Sequence, residues 1–380
     1  MSPHLDVDAL LDDPDTGIVV CCGSGGVGKT TASAALALRA AERGRRVVVL
    51  TIDPARRLAQ SMGIEQLDNT PRPVPGVRRT RGEGSLDAMM LDMKRTFDEV
   101  VESQASPEKA QQILENPFYV ALSSSFAGTQ EYMAMEKLGQ LHRQARAEGT
   151  YDLIVVDTPP SRSALDFLDA PERLSSFLDG RLIRLLVAPA RGPARLMTAG
   201  LSVVTNALGK ILGGQMLRDV QTFVTALDTL FGSFRQRAEK TFALLQADGT
   251  AFLVVAAPEP DAMREAAYFV DRLTDDDMPL AGLVVNRVSP RPLAALSAEE
   301  AIAAADRLER HDESSLTVGL LRLHADRVRL IEREDHLRER FAASYPMVAV
   351  ASVEAMAEDV HDLDGLRTIG GLLAQPARED

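Results

Sequence analysis

Apolar residues fall into two rhythms along this chain. Short runs that are apolar throughout and rich in β-branched residues occur at Gly17–Cys22, Arg46–Ile52, Asp152–Val156, Ala251–Ala256 and Leu280–Val285, with a last one at Met347–Ala351. Such runs, separated by stretches long enough for helices, predict a parallel sheet covered on both faces. The second rhythm is helical. Thr30–Arg43 is an Ala-rich helix, and Lys94–Glu148 reads as helices with Ser106 as an N-cap and Pro107 at the first helical position. Thr129–Arg146 carries Met133, Met135, Leu138 and Leu141 at helical spacing. In Pro171–Asp248, Leu217, Val220, Val224, Leu227, Phe231 and Phe234 recur in steps of three and four, the pattern of an apolar seam. That seam packs on the parent domain or forms a groove for an apolar client or partner helix. Pro290–Ser315 reads as a surface helix and loop, and Leu320–Ala343 as a charged helix. The expected fold is α/β: a doubly wound, mainly parallel sheet with helical insertions at about 94–148 and 171–248, forming one domain over 17–380. Residues 1–16 are expected to be a disordered acidic tail.

Charge narrows the functional classes. The formal net charge of −13 argues against sequence-independent nucleic-acid binding as the main role, so no nucleic-acid partner is expected. The charge is uneven. Asp6, Asp8, Asp12, Asp13 and Asp15 crowd the first residues, whereas Arg39–Arg81 is rich in Arg, suited to phosphate, to an acidic partner or to a solvated face. The two cysteines, Cys21 and Cys22, are neighbours on one strand and point to opposite faces, so they do not share a metal. No disulfide framework or zinc spacing exists, no apolar leader opens the chain, and no run of about 18 apolar residues occurs. These features point to the cytoplasm, with peripheral attachment to a membrane left open.

The chemistry begins with Gly23-Ser24-Gly25-Gly26-Val27-Gly28-Lys29-Thr30, which fits G-x-x-x-x-G-K-[ST] between a strand and a helix. Glycines let backbone N–H groups turn toward phosphate oxygens, and the helix N-terminus adds partial positive charge. This is a P-loop, and it predicts a nucleoside triphosphatase that takes ATP and Mg²⁺. Lys29 is expected to reach the β- and γ-phosphates, Thr30 to sit on Mg²⁺ and Thr31 to bond the α-phosphate. Asp157 ends its strand as a metal-holding carboxylate should. Asp53 ends the second strand, where ligands of open parallel sheets collect, and either orients the attacking water or caps a helix beginning at Pro54.

With these segments placed, the chain resembles the ArsA/GET-type ATPases, in the class that also holds ParA, MinD and the nitrogenase iron protein; it is most similar to the actinobacterial branch called anion-transporting ATPases. Gly25–Thr31 resembles the family's phosphate loop, Thr51-Ile52-Asp53-Pro54-Ala55 its switch I, and Asp157-Thr158-Pro159-Pro160, running on to Leu165–Pro171, its switch II. Gly128-Thr129-Gln130-Glu131 is similar to a turn before a helix in the family, and Ala257-Pro258-Glu259-Pro260 and Val285-Asn286-Arg287 to late nucleotide-site segments. The resemblance implies that Asp53 positions water and Asn286 reads adenine.

The departures shape the functional expectation. The family's signature Lys, which crosses a dimer interface to the other subunit's nucleotide, is Ser24 here. The resemblance then implies slow ATP hydrolysis by this chain alone and a dimer with a paralogue that supplies the Lys, unless Arg56, Arg57 or Arg162 substitutes. The cysteine triad of the arsenite pumps and the zinc CxxC of the targeting ATPases are both missing, and the Gly-His-Thr of switch II reads Ser161-Arg162-Ser163. The expected activity is ATP + H₂O → ADP + phosphate, driving a switch that acts on an apolar protein client or membrane protein, through a homo- or hetero-dimer. Met89, Met90, Met93, Met133, Met135, Met197 and Met216 supply material for an adaptable groove, although methionine at helical spacing is commonly core. The alternatives are a nucleotide-binding regulatory subunit with little hydrolysis of its own, or a ParA/MinD-like positioning ATPase.

Overall fold

The computed structural model describes residues 3–53, 57–116, 119–120, 129–159, 236–292, 296–310 and 315–375. Among the described residues eight strands form one sheet: β1 (Ile18–Cys22), β2 (Arg46–Thr51), β3 (Arg72–Pro73), β4 (Ser85–Met90), β5 (Leu153–Asp157), β6 (Thr250–Ala256), β7 (Leu280–Val288) and β8 (Val350–Glu354). Their order is β3-β4-β2-β5-β1-β6-β7-β8, and only the two-residue β3 runs antiparallel. All the apolar runs expected as strands are strands. The one at the C-terminal side begins at Val350 rather than Met347, whose side chain is exposed.

Two cores flank the sheet, as the period-two geometry of a strand requires. Val19, Cys21, Val47, Val49, Leu153 and Val155 face one side, whereas Ile18, Val20, Cys22, Val48, Leu50 and Val156 face the other. The two cysteines therefore lie in different cores. On the first side sit α1 (Val7–Asp12), α2 (Lys29–Glu42) and α10 (Leu363–Leu373), with Leu366, Ile369 and Leu373 buried beside the Ala-rich helix. On the second sit α4 (Met93–Gln104), α5 (Pro107–Leu114), α6 (Thr129–Glu148) and α7 (Pro260–Asp275). Short α3 (Arg57–Ser61) follows β2, and α8 (Ala298–Arg310) pairs with the long α9 (Ser315–Ser344) around a small core of Ala298, Ala301 and Ala325.

The structure departs from the sequence reading at three places. β4 was not expected. It reads SLDAMM, with Leu86, Ala88 and Met89 buried and Ser85, Asp87 and Met90 partly so, and it pairs along its whole length with β2 but over two residues only with β3; its Asp87 accepts a hydrogen bond from the Tyr151 hydroxyl (2.6 Å). The methionines offered for a groove are core instead: Met89, Met133 and Met135 are fully buried, and Met90 and Met93 pack against the two cores. Met197, Met216 and nearly all of the second insertion lie outside the described residues. The acidic N-terminus is the third departure. Described from Pro3 onward, it is ordered: Asp6 caps α1, Leu5, Val7 and Leu11 are buried, and Pro3 and Leu5 pair with Val350 beside β8. Its acids meet the Arg row. Arg39 grips Asp8 with two hydrogen bonds (2.6 and 2.8 Å), and Arg43 grips Asp12. The acidic partner of those arginines is the chain's own first helix.

Candidate nucleotide site

β1 delivers the chain into the phosphate loop, and two glycines there combine a positive φ with a close approach, Gly23 to a backbone carbonyl and Gly28 to a side-chain amide. A Cβ on Gly23, at φ +149°, would lie 2.1 Å from the Val255 carbonyl oxygen; one on Gly28, at φ +93°, would lie 2.3 Å from Asn286 Nδ2. Gly28 is also the N-cap of α2, whose first residue is Lys29. The loop opens on a cavity of about 730 Å³ lined by Gly26, Gly28, Lys29, Thr30, Thr31 and Asp53, among others.

The C-terminal ends of β2, β5 and β7 meet around this loop. Asp157, at the end of β5, is completely buried. Its Oδ2 accepts hydrogen bonds from the Thr30 hydroxyl (2.8 Å) on α2 and the Thr51 hydroxyl (2.9 Å) on β2. Its Oδ1 has no hydrogen-bond partner among the described residues. Burial pushes this carboxyl up to about 6, against the pull of Thr30, Thr51 and Lys29. Lys29 is buried, and its Nζ donates to the Ser24 carbonyl (2.7 Å). Desolvation lowers its pKa, while Asp157 first, and Asp53 more weakly, hold it up. Asp53 follows β2, its backbone N–H donating to Thr51 Oγ1 (3.2 Å). From β7, Asn286 Nδ2 donates to the Val27 carbonyl (2.8 Å) and Arg287 Nη1 to the Gly26 carbonyl (2.9 Å).

The structure thus brings Gly23, Ser24, Gly26, Val27, Gly28, Lys29, Thr30, Thr31, Asp53, Asp157 and Asn286 into one region, with Gly25 inside the loop between them. Thr51 and Arg287 had no role assigned from sequence. Their signal was weak: a strand-terminal Thr and a strand Arg are ordinary surface choices, and only register shows where they point. Glu354 and the segment 355–361 after β8 also line the cavity, far beyond any phosphate motif. Pro54, Ala55, Arg56, Gly128 and 160–171 lie outside the described residues, as do the side chains of Thr129–Glu131.

The donor set fits a hydrated divalent cation. A buried carboxylate oxygen with no donor among the described residues, beside a Thr hydroxyl at the start of a helix, is the arrangement such an ion satisfies. Among the described residues no cluster of three His, Cys, Asp or Glu forms a metal cage, so the remaining coordination falls to phosphate and water. No described helix is long and apolar enough to cross a membrane.

Comparison with known proteins agrees with this geometry. The model of the anion-transporting ATPase family matches residues 16–307. An ATPase ASNA1 homologue of Cryptosporidium parvum is 28% identical over 266 residues, covering 70% of this chain and 63% of that protein. The ATPase GET3 proteins of Candida glabrata and Zygosaccharomyces rouxii are each 25% identical, over 276 and 279 residues, covering 70% of both chains. The chain therefore spans less than two thirds of the first of these relatives. The match over most of the sequence, together with the loop, the sheet and the strand-end carboxylates, shows that the chain belongs to the anion-transporting ATPase family.

Proposed function

We propose that the cavity at the end of β1 binds Mg²⁺–ATP and hydrolyses it to ADP and phosphate. One observation carries the reading: Lys29 and Thr30 line the cavity and Asp157 bonds to Thr30, with one Asp157 oxygen held by two hydroxyls and the other buried without a donor among the described residues. Lys29 and the loop amides bind the phosphates, and Lys29 exchanges the Ser24 carbonyl for a phosphate oxygen. Thr30 and Asp157 hold the cation, which when bound neutralises charge on the β- and γ-phosphates. Asp53, at the cavity wall, orients the attacking water. Asn286 reads adenine with the part of its amide not engaged by Val27. The test is calorimetric titration of Mg²⁺–ATP, with phosphate release followed in parallel, on wild type and Lys29→Ala. Absence of uptake by the folded wild type sinks the reading.

The working form is a dimer with a paralogue. Ser24 motivates this: it occupies the position of the signature Lys, so a second copy of this chain has no such cation to donate. Mixing with a Lys-bearing paralogue is expected to raise turnover well above that of the pure chain. A trans cation contributes about 10³–10⁵ in rate in related phosphoryl transfer. The same residue favours a second reading, a nucleotide-binding regulatory subunit that hydrolyses little; tight binding with negligible turnover, even beside the paralogue, selects it. Action on an apolar protein client, in the cytoplasm or at a membrane surface, rests on the family resemblance. Loss of a co-purifying protein on adding ATP to wild type, but not to Lys29→Ala, is the observation that supports it.

A further inference from the structure

Arg287 and Asn286 are consecutive residues of one strand, yet both side chains hold the phosphate loop, on consecutive carbonyls: Val27 (2.8 Å) and Gly26 (2.9 Å). A regular strand sends neighbours to opposite faces. Here the rule is broken by a local irregularity. The pairing of β7 with β8 shifts between Asn286 and Val288, leaving Arg287 over, and Arg287 adopts φ +62°. This is a β-bulge built on a left-handed residue other than glycine, a conformation L side chains avoid. Bulges re-aim side chains next to binding sites, and such strain persists where the surroundings impose it.

The grip has a consequence for the loop. A trans peptide is planar, so the N–H of a residue lies opposite the carbonyl of the residue before it. Drawing the Gly26 carbonyl toward Arg287 turns the Val27 N–H the other way. Drawing the Val27 carbonyl toward Asn286 does the same for Gly28. We infer that Asn286 and Arg287 form a clamp, and that Arg287 is a positioning residue which presets the Val27 and Gly28 amides for the phosphates. Arg287 acts through the loop and not by reading the base. The inference rests on the nucleotide reading above for its functional consequence, but the preset loop is a property of the nucleotide-free protein.

The test uses three variants of the full chain. Arg287→Gly and Arg287→Asn both accept a positive φ and remove the guanidinium, and Arg287→Lys keeps a cation of similar reach. Without nucleotide, hydrogen exchange at the Gly25–Gly28 amides is expected to quicken in the Gly and Asn variants, while the melting temperature holds or rises. With nucleotide, Kd for Mg²⁺–ATP is expected to weaken about fivefold, the equivalent of one ordinary hydrogen bond. KM should rise in step, kcat should stay within about twofold, and Lys should recover most of the loss. Unchanged loop exchange in the Gly and Asn variants overturns the clamp, as does unchanged affinity. Equal damage in Lys and Gly overturns the role of the donated hydrogen bond. Failure of wild type to bind nucleotide while loop exchange still responds to Arg287 defeats the nucleotide reading and, with it, the functional role of the clamp.

Discussion

Thr51 and Asp157 are opposite partners in the register of β2 and β5, and the Thr51 hydroxyl donates to the same Asp157 oxygen (2.9 Å) that accepts from Thr30. Two hydroxyls on one carboxylate oxygen aim the other oxygen. Thr51→Val keeps the shape and removes one donor. A hydrogen bond to a buried charged group is worth about 1.5–3 kcal/mol, so the carboxyl rises further and the cation is held less well. The acid limb of the pH profile for ATP hydrolysis is expected to move to higher pH, and turnover to fall about tenfold at neutral pH. Thr51→Ser should restore both. A profile unmoved in Thr51→Val refutes the aiming role.

Asp157 itself is held at a cost. Its folded pKa of about 6 lies above the ordinary 3.8, so the folded state binds the proton more tightly than the unfolded chain does. By linkage this contribution to stability falls as pH rises from about 4 to 6, and the whole penalty is present above that window. Asp157→Asn removes the charge and keeps an acceptor for Thr30 and Thr51. Without nucleotide and with chelator, the variant is expected to be more stable than wild type by about 1–3 kcal/mol at pH 7.5. It should lose both hydrolysis and the rise in melting temperature that Mg²⁺–ATP gives wild type. A nucleotide-free variant less stable than wild type contradicts the strained carboxylate.

Much of this site is legible in the sequence because its parts are local. Gly23–Thr30 is contiguous, and the strand-to-helix context that makes it meaningful is written in β1 and in the alanines of α2. Asp157 and Asn286 come from distant segments, the first read from its place at a strand end and the second through resemblance; their meeting with the loop depends on a strand order that no periodicity reveals. β4 escaped because a short, half-covered strand containing Asp87 lacks the continuous apolar signature of β1 or β6. The N-terminal helix escaped for a different reason. Asp8 and Asp12 look like solvated charge until Arg39, in the last turn of α2, and Arg43, at its C-cap, are placed facing them. Arg287 could not be read at all, since its role follows from a bulge.

Ser24 offers a direct test of the missing cation. Its side chain is buried, and its carbonyl already accepts the Lys29 ammonium, so the backbone there is committed. Ser24→Lys introduces a long cation whose stem must leave this pocket. In a monomer, the new charge beside Lys29 is expected to weaken stability by about 1 kcal/mol. If two copies of the chain pair through this face, turnover should rise at least tenfold and depend on protein concentration. Turnover that stays flat across concentration shows that a second copy does not complete the site and leaves the paralogue as the partner to find.

The ordered N-terminus makes a prediction that a loose tail would not. Leu5, Val7 and Leu11 are buried beside α2, and burying such a side chain is worth about 1.5–3 kcal/mol. Arg45, under the same helix, donates to the carbonyls of Leu11, Asp13, Thr16 and Asp152. Removing residues 1–13 therefore strips apolar cover from the helix that carries Lys29, takes Asp8 and Asp12 from Arg39 and Arg43, and leaves Arg45 only the carbonyls of Thr16 and Asp152. A loss of several kcal/mol is expected, read as a large fall in the denaturation midpoint. Asp8→Asn with Asp12→Asn separates the charge from the packing. These pairs are partly exposed, so they should cost only about 1 kcal/mol together. Hydrogen bonds from Arg39 and Arg43 hold both carboxyls below 3.8 when folded. That contribution is present above 3.8 and lost as pH falls through the folded values, so wild type and the double variant should converge in stability only in acid. A truncated protein as stable as the full chain would mean that α1 lies on the domain without supporting it.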